Sequence, residues 1–468
     1  MTFADCELAI VHQAVEETEN VKGMQLTNNP EIKNMLTIVE DFIIRKKLVC
    51  YGGTAINNIL PKYAQFYNRD VEIPDYDFFS PNALNDAIEL ADIYYKAGYI
   101  EVEAKAGVHY GTFKVFVNFI PIADITYLNK QIYTVVSKES IKIAGIRYAP
   151  ANYLRMGMYL ELSRPAGDVS RWEKVFKRLT LLNKYYPLIP DGNCEEVDFS
   201  KNFDIETPEN ERIHLIVRDA FIDNGVIFFG GYSTQLFSKY MSKKQEGLVK
   251  KIPDFDVLVE DYEKCALIVK ERLHAEKITN VKLIHHDAVG EIIPRHIELM
   301  VGKHSIAYLY EPIACHSYNK ITVDNRVINV ATIETILSFY LSFVYADMPY
   351  YDKNRLLCIA NFMFEVARKN RLAQEGILKR FSINCYGKQK TLETMRSEKA
   401  SKYKELQTKK HSKEYDMWFL RYIPAQENPD AKVLKKRDVG SNKTRKQPKN
   451  ESLAEDDSPG VFTQLFGL

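Results

Sequence analysis

The sequence lacks the Gly-x-x-x-x-Gly-Lys-Ser/Thr run of a phosphate-binding loop, and no two of its glycines fall two residues apart. A P-loop nucleotidase and a Rossmann oxidoreductase are therefore disfavoured. It has no Cys-x-x-Cys pair. Its seven cysteines, Cys6, Cys50, Cys194, Cys265, Cys315, Cys358 and Cys385, are odd in number and scattered. That argues for a reducing compartment and against a zinc module. Cys315-His316 with His304 comes nearest to a metal cluster and is discounted. No run approaches the ~20 apolar residues of a membrane span, so no membrane contact is expected. Asp5, Glu7, Glu16 and Glu17 interrupt the first apolar residues, which argues against a signal peptide. Charge of one sign is also missing: 63 basic against 62 acidic residues leave a net +1. Any affinity for nucleic acid must then come from local patches. Tryptophan is rare (2), but 29 tyrosines and 24 phenylalanines are present, for a core or for stacking on bases.

What the chain does have is organised around Val49–Ser80. Val49-Cys50-Tyr51 leads into Gly52-Gly53-Thr54, and a helix-like segment from Ala55 to Gln65 follows. Then comes Ile73-Pro74-Asp75-Tyr76-Asp77-Phe78-Phe79-Ser80. Residues i and i+2 of a strand share a face, so Asp75 and Asp77 project together with Tyr76 turned away. Two carboxylates on one face repel unless a cation lies between them. Oxygen-only sites of this kind suit Mg²⁺, completed by water and phosphate oxygens. Gly52 and Gly53 let backbone approach a phosphate, and a helix N-terminus at Thr54 adds partial positive charge. A third carboxylate, Asp124, lies in the apolar run Phe119–Ile125, where burial is unfavourable without a partner.

The pattern is written twice. Asn29-Pro30-Glu31 opens a helix, with Asn as N-cap and Pro at the first helical position. Thr207-Pro208-Glu209 opens another. Pro30 to Pro208 and Gly52 to Gly230 are both offsets of 178. Ile73-Pro-Asp-Tyr-Asp77 recurs as Ile252-Pro-Asp-Phe-Asp256 at 179, and Asp124 is matched to Glu298 at 174. Helical segments 151–162 and 171–186 correspond to 332–344 and 352–368. The chain thus contains two copies of one α/β module. The expected divisions are an N-terminal segment 1–28, in which Ile10, Val11 and Val15 form a short helix on the core; a first module 29–190; an acidic linker 191–205; a second module 206–385; and a lysine-rich, largely flexible tail 386–468. Within that tail, 386–416 reads as a lysine-rich helix, and the basic runs Lys435–Arg437 and Lys443–Lys449 and the apolar end Val461–Phe466 follow it. The first copy also carries Arg164, Arg171, Lys174, Lys177 and Arg178. Arg171, Lys174 and Arg178 share a helical face suited to a triphosphate or an RNA backbone.

The Gly-Gly turn, the strand with two acids and the later third acid resemble the nucleotidyltransferase superfamily that includes DNA polymerase beta. Tyr51–Asn57, Pro74–Ser80, Leu160–Pro165 and Gly167–Lys174 are similar to the poly(A) polymerase catalytic subunits of large nucleocytoplasmic DNA viruses, of the giant-virus and poxvirus type. The resemblance covers roughly residues 29–385. It implies an α/β (α+β) fold of two tandem nucleotidyltransferase-like modules, each a small mixed sheet with flanking helices. It implies an enzyme that adds AMP from ATP to the 3′ end of mRNA, with Asp75, Asp77 and Asp124 holding two Mg²⁺ (or Mn²⁺) ions. Gly52, Gly53, Thr54, Arg171 and Lys174 would bind the nucleotide. It favours the first copy, where the hydroxyl residue Thr54 follows Gly-Gly and the third acid is the shorter aspartate. It further implies RNA, self-association and viral mRNA-processing or transcription proteins as partners, and the host cytoplasm and virion as location. Two alternatives stand beside it: transfer to another acceptor (tRNA, protein or small molecule), and a non-catalytic RNA-binding subunit.

Overall fold

The computed structural model describes residues 2–197, 208–249, 252–410 and 412–427. The basic runs at 435–437 and 443–449 and the apolar end at 461–466 lie outside these residues.

Two eight-stranded mixed sheets dominate the architecture. The first takes β1 (Val49–Cys50), β2 (Tyr76–Ser80), β3 (Val102–Ala106), β4 (Thr112–Val117), β5 (Ile120–Tyr127), β6 (Ile141–Ile143) and β7 (Ile146–Tyr148). The second takes β8 (Ile227–Phe228), β9 (Phe255–Leu258), β10 (Val281–His286), β11 (His296–Val301), β12 (His304–Tyr310), β13 (His316–Val323), β14 (Arg326–Ala331) and β15 (Cys385–Tyr386). A last strand, β16 (Arg421–Tyr422), returns to the first sheet. The strand orders are β16-β3-β4-β5-β2-β1-β7-β6 and β10-β11-β12-β9-β8-β14-β13-β15. With the end strands β16 and β15 set aside, one order maps onto the other strand for strand. The duplication read from sequence is therefore a duplication of fold.

Local chemistry sets the entry to the central strands. In the helix Pro30–Lys46, Asn29 caps the N-terminus by accepting from the Glu31 N–H at 2.8 Å, with Pro30 in the first turn. Ile32, Met35, Val39, Phe42 and Ile43 form its buried stripe. Lys47 ends it in the left-handed conformation at φ 57°. The chain then enters β1 and turns at Gly52. The helix that follows is Gly52–Ile59, shorter than the expected 55–65. Pro61 is the cause: it pushes Leu60 to extended backbone at ψ 151° and stops the helix there.

A single apolar core runs through both modules. Its centre is the helix Ile333–Ala346, every residue of which is buried. One side meets the helix Ala151–Leu162 of the first module and another meets Lys353–Lys369 of the second. Tyr153 and Tyr345 pack edge to face at 5.1 Å between centroids, and the Ser317 N–H donates to the Ser163 carbonyl at 2.8 Å. Each large apolar side chain buried here is worth about 1.5–3 kcal/mol. A charge in place of Leu341, which is fully buried, would separate the modules from their shared centre.

Three sequence expectations are corrected. Ile10, Val11 and Val15 do not pack on the core: they are exposed on a 25-residue helix, Phe3–Thr27, started by a Thr2/Asp5 capping box. Only Gly23 of that helix is buried, against the Val71 backbone. The segment from 386 to 427 is not a flexible tail. It forms the helices Leu392–Leu406 and Lys413–Phe419 and the strand β16, which pairs with β3. Leu406 and Leu420 are buried there and Trp418 meets Tyr110 at 4.6 Å, an apolar anchorage masked in sequence by the surrounding lysines. Finally, Cys194–Cys358 and Cys315–Cys385 are disulfides with Cα separations of 5.8 and 5.1 Å, within the range that a disulfide requires. Partners 164 and 70 residues apart cannot be paired from spacing alone. The cysteine argument for a reducing compartment falls with this pairing.

Candidate active site

Asp75, Asp77 and Asp124 converge on one face at the centre of the first sheet. β2 and β5 run parallel with Asp77 opposite Asp124. Tyr76, between Asp75 at the entry to β2 and Asp77 within it, turns the other way, is buried, and donates its hydroxyl to Glu40. Burial and then the charge of Asp124 push the Asp75 carboxyl up to about 6. Burial, Asp75 and Asp124 together hold Asp77 well above the usual carboxylate range. Three crowded, half-buried carboxylates repel one another, and a divalent cation such as Mg²⁺ or Mn²⁺ would relieve that repulsion; as the side chains stand, no three metal-ligating groups among the described residues are gathered into a ready-made metal site.

One cation is already built in. Lys114 lies opposite Asp124 on the β4–β5 pair, and its ammonium reaches the Asp124 carboxylate at 2.8 Å. Sequence reasoning missed Lys114. The alternation Thr-Phe-Lys-Val-Phe-Val places it on the less buried face of a strand, which was the available signal.

The glycine turn sits directly over Asp77. Gly52 has φ +71°, and a Cβ there would meet Asp77 Oδ2 at 2.6 Å. A Cβ on Gly53 would meet Tyr67 Oη at 2.6 Å and Arg178 Nη1 at 3.0 Å. Only glycine leaves this space open. Thr54 is buried and its hydroxyl donates to the Asp75 carbonyl at 2.7 Å. The single hydroxyl proton is thus taken by the backbone of the acid-bearing strand, rather than left to face a phosphate.

A basic group borders the turn. Arg178 donates to Tyr67 Oη and lies over the Phe66 ring at 5.0 Å. Burial, then Arg178 and Arg171, push the Lys174 ammonium below the usual lysine range. Arg171 is half-exposed and pairs with Glu161 at 3.1 Å, and its charge also reaches Asp77. Lys177 points away and pairs with the exposed Glu173 at 2.7 Å. Arg171, Lys174 and Arg178 therefore gather as the spacing implied. Of the three, Arg178, which the resemblance had not placed among the nucleotide-binding residues, lies at the glycine turn.

The second sheet is built alike and furnished differently. Its β9 carries Asp256, but the residue opposite Asp256 on β12 is Tyr308, not an acid. Glu298, matched in sequence to Asp124, lies on β11, opposite Tyr308. It therefore occupies the place of Lys114. Both pairs, Lys114/Glu298 and Asp124/Tyr308, are offset by 184. Glu298 bonds His286 at 2.9 Å and accepts from Ser305. As at Gly52, a Cβ on Gly230 would meet the acid below it, here Asp256, and the pocket beside Asp254 and Asp256 is lined mainly by apolar side chains, Leu248, Phe343, Ile359 and Phe362, with Arg355 at its edge.

Residues 37–168 match the family model described as "Poly(A) polymerase catalytic subunit". That stretch holds all three aspartates, Lys114 and the glycine turn. A protein of African swine fever virus (strain Badajoz 1971 Vero-adapted), named as a poly(A) polymerase catalytic subunit, is 36% identical over 184 residues. The match covers 38% of this chain and 38% of that relative. One from Acanthamoeba polyphaga mimivirus, named likewise, is 33% identical over 188 residues, 39% of this chain and 30% of its own. The crystal structure of the Megavirus polyadenylate synthase superposes with a TM-score of 0.75 at 19% identity, covering 91% of this chain and 86% of that one. The fold is thus that of the Megavirus protein, and the family's sequence signature is concentrated in the first module. The resemblance to poly(A) polymerase catalytic subunits of giant and other large DNA viruses holds. Among the described residues no helix is long and apolar enough to cross a membrane.

Proposed function

We propose that the chain is a polynucleotide adenylyltransferase that transfers AMP from ATP to the 3′-hydroxyl of mRNA, releasing pyrophosphate, and that its first module, residues 29–190, is the catalytic one. The observation that carries this reading is the register of Asp77 with Asp124 in the first sheet, against Asp256 with Tyr308 in the second. The similarity to the viral proteins supplies the donor and acceptor.

Asp75, Asp77 and Asp124 would hold two divalent cations. When bound, these lower the pKa of an attacking hydroxyl and offset charge on the leaving pyrophosphate. The chain's own residues do the rest. The backbone N–H groups of the Gly52-Gly53 turn face the triphosphate, with Thr54 fixing the turn to the Asp75 backbone. Arg171, Lys174 and Arg178, crowded without enough acidic partners, receive its negative charge. Lys114 holds the Asp124 carboxylate in place, where it would accept the proton of the 3′-hydroxyl. The second module, 206–385, acts as scaffold and RNA surface. The same likeness points to the host cytoplasm and virion as location, and to a second copy or viral mRNA-processing proteins as partners.

The test is extension of a labelled RNA oligonucleotide by each NTP separately, with Mg²⁺ or Mn²⁺. Ladders with ATP are expected from the wild type. Asp77→Ala should lower the rate by about a thousandfold or more, the scale of losing a group that stabilises transition-state charge. Asp256→Ala should leave it near normal. The reverse pattern would move the site to the second module. No extension by the wild type with any nucleotide would favour a non-catalytic RNA-binding subunit.

A further inference from the structure

Beside the basic group lies a hollow of about 280 Å³ that the proposed chemistry does not use. Leu160, Glu161, Arg164, Gly167, Asp168 and Gln389 line it. It lies where the end of the helix Ala151–Leu162 meets the segment after β15. Two polar atoms on its wall are buried without a hydrogen-bond partner among the described residues: Arg164 Nε, a donor, and Gln389 Oε1, an acceptor. Such atoms are rare in folded proteins and indicate a missing partner. Glu291 and Glu161 offset the Arg164 charge only at longer range. The Gln389 amide is oriented by its Nε2, which donates to the Lys390 carbonyl at 3.3 Å. The segment bearing Gln389 is held by the Cys315–Cys385 disulfide and by Gly387 at φ +99°. Gly167 faces it, where a Cβ would stand 3.9 Å from Gln389 Cδ.

We infer that this hollow receives the base of the incoming nucleotide and selects for an amino group beside a ring-nitrogen acceptor, the pair that adenine presents and uracil lacks. This deepens the adenylyltransferase reading and rests on it. A ring nitrogen of adenine accepts from Arg164 Nε, and its amino group donates to Gln389 Oε1. The carboxylates of Glu161 and Asp168 on the rim favour an amino edge and oppose the carbonyl edges of guanine and uracil. Ligand pockets usually run to about 300–1,000 Å³, so this one suits a single heterocycle, not a whole nucleotide. Its position is right for that: Glu161 pairs with Arg171 at 3.1 Å, and the charge of Arg171 reaches Asp77. One arginine thus separates the hollow from the carboxylates.

The experiment is direct titration of ATP, GTP, CTP and UTP into the full chain with Mg²⁺ and no RNA, followed by RNA extension with each. The variants are Gln389→Leu, Gln389→Glu, which keeps the acceptor, and Gly167→Val, which fills the hollow from the opposite wall. Gln389→Leu should weaken ATP by about 5–100-fold, the scale of leaving a buried polar group without its partner, and Gly167→Val should weaken it as much by filling the hollow. UTP should change by less than threefold, and Gln389→Glu should retain the ATP preference. An ATP preference unchanged in Gln389→Leu and Gly167→Val would mean the hollow holds only water, and so would overturn the inference. A uniform loss across the four nucleotides would assign Gln389 a structural role and overturn it as well. Selective ATP binding that these variants abolish, without RNA extension by the wild type, would uphold the subsite and reject the polymerase.

Discussion

Lys114 and Asp124 face each other across β4 and β5 at 2.8 Å, and the residue in the place of Lys114 in the second module is the acid Glu298. One sheet therefore has an acid held by a lysine where the other has a tyrosine beside a glutamate. Duplicated folds diverge in this way: the strands persist and the charges on one face are reassigned.

The lysine gives the first prediction. Lys114→Met should lower the rate of RNA extension by about 10–100-fold, the usual loss when a group that orients a metal ligand is removed. The site then carries one more uncompensated negative charge, so half-maximal activity should come at lower Mg²⁺. An unchanged Mg²⁺ dependence would show that the ion pair has no part in cation binding.

Crowded carboxylates also govern stability. The Asp75 carboxyl titrates near 6 in the fold against an ordinary 3.8, mainly through burial and then Asp124. Between these values the folded state holds a proton that the unfolded state has released. Raising the pH through that interval therefore shifts the balance toward unfolding. The cost is complete above about 6 and amounts to at most about 3 kcal/mol for this group. Metal-free protein should lose thermal stability from pH 4 to 6.5, and Mg²⁺ should restore most of it at the upper end. Asp77→Asn should raise the melting temperature of the metal-free protein while abolishing extension. A variant that melts lower than wild type without metal would count against mutual repulsion at this site.

The turn is equally specific. Gly52→Ala meets both a left-handed backbone and Asp77 Oδ2 at 2.6 Å. It should destabilise the protein by about 1–3 kcal/mol and displace Asp77 as well. Activity should therefore fall further than the lost stability accounts for, even well below the melting temperature. Full activity at low temperature would show that the Asp77 position tolerates the shift.

The disulfides offer a chemical count. Protein purified without reductant and then denatured should expose three thiols, those of Cys6, Cys50 and Cys265. Reduction should expose all seven cysteines and lower stability by about 2–4 kcal/mol per bond. Seven thiols before reduction would mean that the paired cysteines are only neighbours.

Much of this was legible from residue order. The capped helix, the apolar strand, the Gly-Gly turn and the Asp-x-Asp strand each carry local signatures, and they occur twice at nearly constant offset. The pairing of Asp124 with Glu298 was not legible correctly. Both are acids in apolar strands, but which strand lies beside β2 or β9 depends on hydrogen bonding that no single sequence displays. Lys114 stayed hidden for the same reason, since its importance comes from the residue across the strand. A helix within 386–416 was legible and is present as Leu392–Leu406, but the docking of 386–427 on the first sheet was not, because lysines outnumber the few apolar residues, Leu406, Phe419 and Leu420, that anchor it.

The pairing of β16 with β3 bears on how the protein is made. Arg421 and Tyr422 close the outer edge of the first sheet, more than three hundred positions after the strand they join, Arg421 reaching Glu103 and Tyr422 reaching Asp92. On the ribosome the first module emerges early but keeps an unpaired strand edge until nearly the whole chain has been synthesised. Such an edge is a site for mispairing with other nascent chains. The second module, whose end strand β15 lies at 385–386, completes its own sheet sooner. The module that is translated first is thus the one whose sheet is finished last.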